Sequence, residues 1–175
     1  MKITKYNVTL TRLTEDKIEM VRNWRNDPKI AQYMEYKEHI TPEMQTAWFY
    51  RINNDNNYYF IIEFEGKEIG LVNIKDIDHE KKEGEGGIFL YDDDFLNSDL
   101  PFRASLCLGE FIFEVLKLER EIVHVMKDNK RAIQYNKFLG FQKADNQEDV
   151  HNQLYYLTLE GHYKTKKKLI ELFKL

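Results

Sequence analysis

The spacing of apolar positions changes several times along the chain, and each change marks an element. Val8 to Leu13 reads as a strand. Thr14 then offers an N-cap, with Glu15 and Asp16 in the first turn and Ile18, Val21 and Trp24 facing inward at helical spacing. That helix should stop near Pro28. Thr41-Pro42-Glu43 is a second start signal, a capping residue followed by proline at the first helical position, and the segment behind it carries Met44, Trp48 and Ile52. From Tyr58 the period shortens: Tyr58 to Phe64 and Ile69 to Ile77 are β-rich runs joined at Glu65-Gly66 as a hairpin, and Gly87 to Tyr91 should join them.

Pro101 opens a long helix whose stripe is Ala104, Leu108, Phe111, Val115 and Leu118. Ile122 to Met126 reads as a short buried strand. Asn129 caps a helix through Leu139, and Gly140 sits where a left-handed C-terminal cap belongs. Leu154 to Leu159 closes the sheet. This order predicts an α/β (α+β) fold, a mixed and mostly antiparallel central sheet of about six to seven strands flanked by helices.

Composition narrows the classes. With 42% hydrophobic and 14% aromatic residues, folding should bury roughly 70% of the unfolded surface around one core, so residues 1–175 are expected to form a single domain. No repeat or low-complexity linker divides them, and Pro (3) and Gly (8) are too few to do so. Lys and Arg number 26 against 30 acids, a formal charge of -4, which gives no general attraction to nucleic acid or anionic membrane. The lone cysteine, Cys107, cannot form an internal disulfide, and the N-terminus lacks a secretory apolar stretch; cytoplasmic localisation is expected. Nowhere do about 18 apolar residues run together without charge, so no helical membrane span is expected.

The run Asn129-Lys130-Arg131-Ala132-Ile133, ending in Phe138-Leu139-Gly140-Phe141, together with the element order, resembles the C-terminal half of GNAT acetyltransferases. Trp24-Arg25-Asn26-Asp27-Pro28, with Ile30 and Met34, resembles the amino-sugar branch that serves flagellin and surface-polysaccharide glycosylation. The two stretches span most of the chain. The resemblance implies a V-shaped opening between two central strands, with acetyl-CoA as cosubstrate, no metal, and a small-molecule amine as acceptor, most specifically that of a nucleotide-linked deoxyamino sugar. Pantetheine would pair with the strand near Phe89, Leu90 and Tyr91.

The resemblance also assigns roles, each beside a plainer reading. The family's pyrophosphate loop is glycine-rich with a leading Arg or Gln, but Leu96, Asp99 and Pro101 occupy those positions here. The alternative is that Ser98 or Asp99 simply caps the helix beginning at Pro101. Asn97, Ser98, Phe102, Arg103 and Ala104, with Asn129 and Ala132, complete the expected cofactor set. The family's general-acid tyrosine is replaced by Asn136, which can hydrogen-bond a thiolate without readily giving it a proton. Tyr135 is one position earlier, about 100° around the helix, where a tyrosine is more often a core residue than a catalytic one. Glu85 matches a glutamate that accepts the amine proton, although it lies in a charge-rich stretch with Glu80 and Glu83 that also reads as a solvated face. Arg25, Met34, Asn73 and Lys75 match positions that face the acceptor; Arg25 would fork onto a phosphate or else form a surface ion pair.

Other constellations carry less. Asp92-Asp93-Asp94 point in different directions and lack metal-loop spacing. The five histidines show no paired ligand spacing. Lys164 to Lys168, followed by Leu169, Ile170 and Phe173, reads as an amphipathic terminal helix that packs on the domain or on a second subunit, which leaves a homodimer open. Two further readings stand beside the sugar enzyme: a ribosomal-protein-type N-terminal acetyltransferase, and a non-catalytic module that kept the fold but lost acetyl-CoA.

Overall fold

All 175 residues are described by the structure, a computed structural model. Eight strands form one sheet: β1 (Lys2–Lys5), β2 (Val8–Arg12), β3 (Tyr58–Phe64), β4 (Lys67–Asp78), β5 (Glu83–Leu90), β6 (Arg120–Met126), β7 (Gln142–Lys143) and β8 (Asn152–Thr158). The sheet order is β1-β2-β3-β4-β5-β6-β8-β7. Every pairing is antiparallel except β5 with β6. Six helices flank it: α1 (Ile18–Asn26), α2 (Pro28–Ala31), α3 (Pro42–Ile52), α4 (Leu100–Glu110), α5 (Lys130–Phe138) and α6 (Leu159–Phe173). None is long and apolar enough to cross a membrane.

The sheet has a larger core on one face and a smaller one on the other. Val72, Ile74, Leu90, Val123 and Val125 point to the face covered by α4, where Ala104, Leu108, Phe111 and Ile112 meet them. Ile61 and Leu71 point to the opposite face and pack with Val21 and Trp24 of α1 and Phe49 of α3. Alternation along each strand makes this division, because successive side chains leave a pleated strand on opposite sides.

Several expectations are corrected in detail. β1 is charged and mostly exposed, and β7 is only two residues long, so neither shows an apolar period and both escape a pattern reading. β5 begins at Glu83 rather than Gly87, because Gly84, Gly86 and Gly87 make its first half look like a loop. Val115 is 64% exposed instead of continuing the α4 stripe. The helix passes into a π turn over Phe111–Val115, with the Leu116 amide bonded to Phe111 O at 2.9 Å, and the wider turn rotates Val115 off the buried face. On α3 the inward residues are Gln45 and Phe49, while Met44 is exposed.

The predicted caps form at the C-terminal half. The Asn129 side chain accepts from the Ala132 amide at 3.0 Å. Gly140 ends α5 with φ +93°, and a Cβ there would meet Thr165 Oγ1 at 2.4 Å, so both conformation and α6 packing require glycine. α6 rests on the rest of the chain through His162, Thr165 and Leu169. Its Lys166 reaches buried Glu110 of α4 at 2.6 Å, where Lys5 and Tyr6 from the β1–β2 hairpin also bind.

Candidate active site

β5 and β6 pair only at Glu83–Arg120, Gly84–Glu121 and Glu85–Ile122, and then part. β5 stays paired with β4 as far as Leu90, and β6 with β8 as far as Met126. The gap is therefore a wedge with two intact walls. Tyr91 donates its amide to Ile69 O at 2.9 Å, so by antiparallel alternation the backbone groups of Leu90, Ile88 and Gly86 turn away from β4 and into the wedge. Unpaired strand amides of this kind can bind an extended chain or a carbonyl oxygen.

A cavity of about 1520 Å³ runs through the wedge to both faces of the sheet. On the α4 side its lining includes Leu96, Ser98, Pro101, Phe102, Ala132, Tyr135 and Asn136, all but Pro101 among the expected residues. The N-terminus of α4 offers donors there. The amides of Asn97, Asp99 and Phe102 have no protein acceptor, whereas that of Leu100 bonds Ser98 Oγ at 3.2 Å. The Asp99 carboxylate does not plug this end: it pairs with Arg103 at 2.6 Å and leaves the amides open. Arg131, which sequence reasoning passed over, braces the loop by donating to Leu96 O at 2.6 Å and Asn97 Oδ1 at 3.3 Å. Free amides at a helix end beside a guanidinium suit a pyrophosphate.

Four expected cofactor residues stand elsewhere. Tyr91 spends its amide on β4 and stacks on Trp24 at 5.4 Å, on the α1 face. Asn97 projects to the exposed rim, where it meets Arg131. Arg103 turns away from the cavity to Asp99 and Tyr6 O. Ala104 is wholly buried in the core. Phe89 lines the cavity from the α1 face, edge-on to Trp24 at 6.3 Å, while Leu90 lines it from the α4 face. Asn129 lines the cavity too, but its side-chain oxygen is engaged by the Ala132 amide.

Tyr135 and Asn136, the two residues expected beside the sulfur, are both engaged within the protein. The Tyr135 hydroxyl donates to Pro101 O at 2.9 Å and meets Ser105 Oγ at 2.7 Å, and burial pushes its ionisation upward. It fastens α5 to α4. Asn136 donates its side-chain amide to Ala132 O at 2.9 Å and lines the cavity.

On the α1–α3 side Arg25, Met34, Asn73, Lys75 and Glu85 line one region together. Glu85 lies 3.3 Å from Lys75 Nζ and 3.2 Å from His124 Nδ1, so its carboxylate is bracketed by β4 on one side and β6 on the other. His124 was missed because an isolated histidine in a strand carries no pattern; only the parting of β5 from β6 brings it to the site. Arg25 lies over the Trp48 ring at 5.8 Å with no carboxylate partner, and burial depresses its ionisation. The hydroxyl of neighbouring Tyr59 is pushed up to about 12, mainly by burial.

Comparison with known proteins gives the same reading. Residues 7–142 match the Acetyltransferase (GNAT) domain family. Acetyltransferase PseH of Campylobacter jejuni subsp. jejuni serotype O:2 is 27% identical over 157 residues, covering 87% of this chain and 92% of the relative. Spermidine N(1)-acetyltransferase of Escherichia coli strain K12 is 25% identical over 137 residues, covering 78% and 73%. Among solved structures, apo FdhC, described as a nucleotide-linked sugar GNAT, superposes with a TM-score of 0.80 at 23% identity, covering 96% of each chain. Spermidine N-acetyltransferase from Vibrio cholerae, in complex with CoA and spermine, gives 0.79 at 18% identity, covering 91% and 99%. The chain therefore belongs to the GNAT acetyltransferases and is an acetyl-CoA-dependent N-acetyltransferase.

Proposed function

We propose that the acceptor is the primary amine of a nucleotide-linked deoxyamino sugar. The observation that carries this reading is Arg25, a desolvated guanidinium on the acceptor side with no acidic partner. A buried cation is tolerated when an anion completes it, and the phosphates of a nucleotide-linked substrate are such anions. Arg51 adds positive charge to the same side, while Lys75 is paired with Glu85 and Asp76. The description of FdhC as a nucleotide-linked sugar GNAT supports the same class.

In this reading Glu85, with His124 beside it, takes the proton from the amine before attack, and Asn73 holds the β5 backbone at Glu85 O from 3.5 Å. The wedge-facing amides of β5 donate to the thioester oxygen as it gains charge. The amides of Phe102 and Asp99, with Arg131, hold the pyrophosphate and so fix the thioester against the apex.

A second reading is a polyamine acceptor, favoured by Glu35 and Glu85 on the acceptor side and by the spermidine-acetylating relative. Thiol release measured on a panel decides between them. Nucleoside-diphosphate-linked amino sugars should turn over with kcat/KM at least about tenfold above the same sugars lacking the nucleotide, the worth of one charge-assisted contact. Faster turnover of spermidine, or of a peptide N-terminus, would overturn the proposal.

A further inference from the structure

The departing coenzyme A thiolate needs a proton, and the residues that the family resemblance names do not supply one. Tyr135 gives its single proton to Pro101 O, and Asn136 has only an amide. Another group stands at the apex of the wedge. Glu121 is the second residue of β6, paired with Gly84 just before the strands part, and it points with Val123 and Val125 to the α4 face. It is 8% exposed and lines the cavity.

Its carboxyl has neither a hydrogen bond nor an ion pair within the protein. It rests against the β5 backbone at Gly86, the first residue beyond the last β5–β6 pair, where a Cβ would lie 2.1 Å from Glu121 Oε1. Absence of a side chain at Gly86 is thus what lets the carboxyl reach the apex of the wedge. A carboxylate held there without a counter-charge would be costly, so the group keeps its proton: burial pushes it up to about 8. The groups facing it do not reverse this. Tyr135 on α5 is its titratable neighbour and is itself neutral, His162 of α6 lines the same cavity, and β8 presents Leu157.

We propose that Glu121 is the general acid of the transfer, giving its carboxyl proton to the sulfur of the leaving thiolate. The neutral amine, its ammonium proton already passed to solvent through Glu85 and His124, forms the C–N bond, and its nitrogen then gives its second proton to the Glu85 carboxylate, so that a neutral amide results. The C–S bond breaks with its electron pair on sulfur, and the proton passes from Glu121 to that sulfur. Glu121 is left as a carboxylate and recovers a proton from water once coenzyme A departs. The two proton steps thus lie on opposite faces of the sheet. The inference requires acetyl transfer but no particular acceptor, so it survives a failure of the sugar assignment.

The test is Glu121→Gln in the full chain, assayed by thiol release with whichever amine supports turnover by the wild type. We expect kcat to fall about 100-fold, within the range for loss of a general acid, with KM for acetyl-CoA unchanged. The wild type should lose activity as pH rises through about 8, and this alkaline limb should vanish in Glu121→Gln. Undiminished kcat would overturn the proposal. So would a loss confined to KM with the limb retained, the signature of a merely structural carboxyl. If the amide variant does not fold, Glu121→Asp, which draws the same proton back by one methylene, should lower kcat while keeping the limb; unchanged kcat there is equally fatal.

Discussion

Replacing Arg25 by Met separates the recognition role of this side chain from its structural one, because the two effects have opposite signs. The Arg25 guanidinium lies over the Trp48 ring at 5.8 Å, near Tyr36 and Tyr59, and no acid offsets its charge. Met keeps most of the apolar contact and removes the desolvated cation. A charge-assisted hydrogen bond to phosphate is worth about 1.5–3 kcal/mol, so kcat/KM for a nucleotide-linked sugar should drop about 10- to 150-fold. The free sugar lacks the phosphate and should lose less than about threefold, below a single hydrogen bond. In the absence of substrate the variant should be more stable, by about 1 kcal/mol for a half-buried unpaired charge, raising Tm by about 2–4 °C in a chain of this size. Thiol release on both acceptors, together with thermal melts, measures both numbers. Equal losses on the two acceptors would refute the phosphate role, and a lowered Tm would refute the reasoning about the unpaired guanidinium.

Glu110→Ala strands Lys5, Tyr6 and Lys166 around an emptied buried position and should cost about 3 kcal/mol, read as a Tm lower by about 6–12 °C. Tyr135→Phe breaks the links to Pro101 O and Ser105; urea titration should show a loss of about 1–2 kcal/mol, with kcat within about threefold of wild type. A kcat loss of 100-fold there would return the acid role to Tyr135. Buried His162 has its ionisation lowered from 6.5 to about 4 by desolvation, so between those values the unfolded chain binds the extra proton and this residue's contribution to stability falls as pH is lowered. Glu121 is raised from 4.5 to about 8, so its contribution runs the other way and is lost as pH rises across that span. Urea melts should therefore find Glu121→Gln more stable than wild type at pH 8 and nearly equal to it at pH 4.

The elements that bury an apolar stripe were legible in the sequence, and those that do not were invisible. Tyr58–Phe64 and Asn129–Leu139 carry their own period or cap, and both stand where the pattern puts them. β1 carries a single apolar residue, Ile3, among Lys and Thr, so no period in its sequence separates it from a loop. The site follows the same rule. Motif positions such as Ser98, Phe102 and Ala132 could be aligned, whereas His124, Arg131 and Glu121 gain their meaning from where the sheet splits. A single glutamate in Arg120-Glu121-Ile122 looks like a solvated strand residue until β8 covers one side of it and α4 its face. Arg103 was misread for the converse reason, since a basic residue near a phosphate loop suggests a ligand, yet Asp99 one helical turn earlier holds it at 2.6 Å.

On the proposed reading, in which the loop before α4 holds the pyrophosphate, the Asp99–Arg103 pair bears on how it does so without the family's usual glycines. Pro101 has no N–H, so the helix end has one donor fewer, and Asp99 adds a negative charge where a pyrophosphate would arrive. The structure answers each deficit locally. Arg103 neutralises Asp99 and turns it toward the β1–β2 hairpin, away from the cavity. Ser98 takes the Leu100 amide, so no carboxylate occupies the helix end. Arg131, reaching over from α5, stands where the missing cation of the loop would be useful. This compensation predicts that Arg131 carries more of the affinity for acetyl-CoA than the helix amides do. Arg131→Ala should then raise the calorimetric Kd for coenzyme A about 10- to 100-fold, and should raise that for dephosphorylated pantetheine hardly at all, because only the former carries the pyrophosphate. Equal weakening of both ligands would mean that Arg131 merely props the loop.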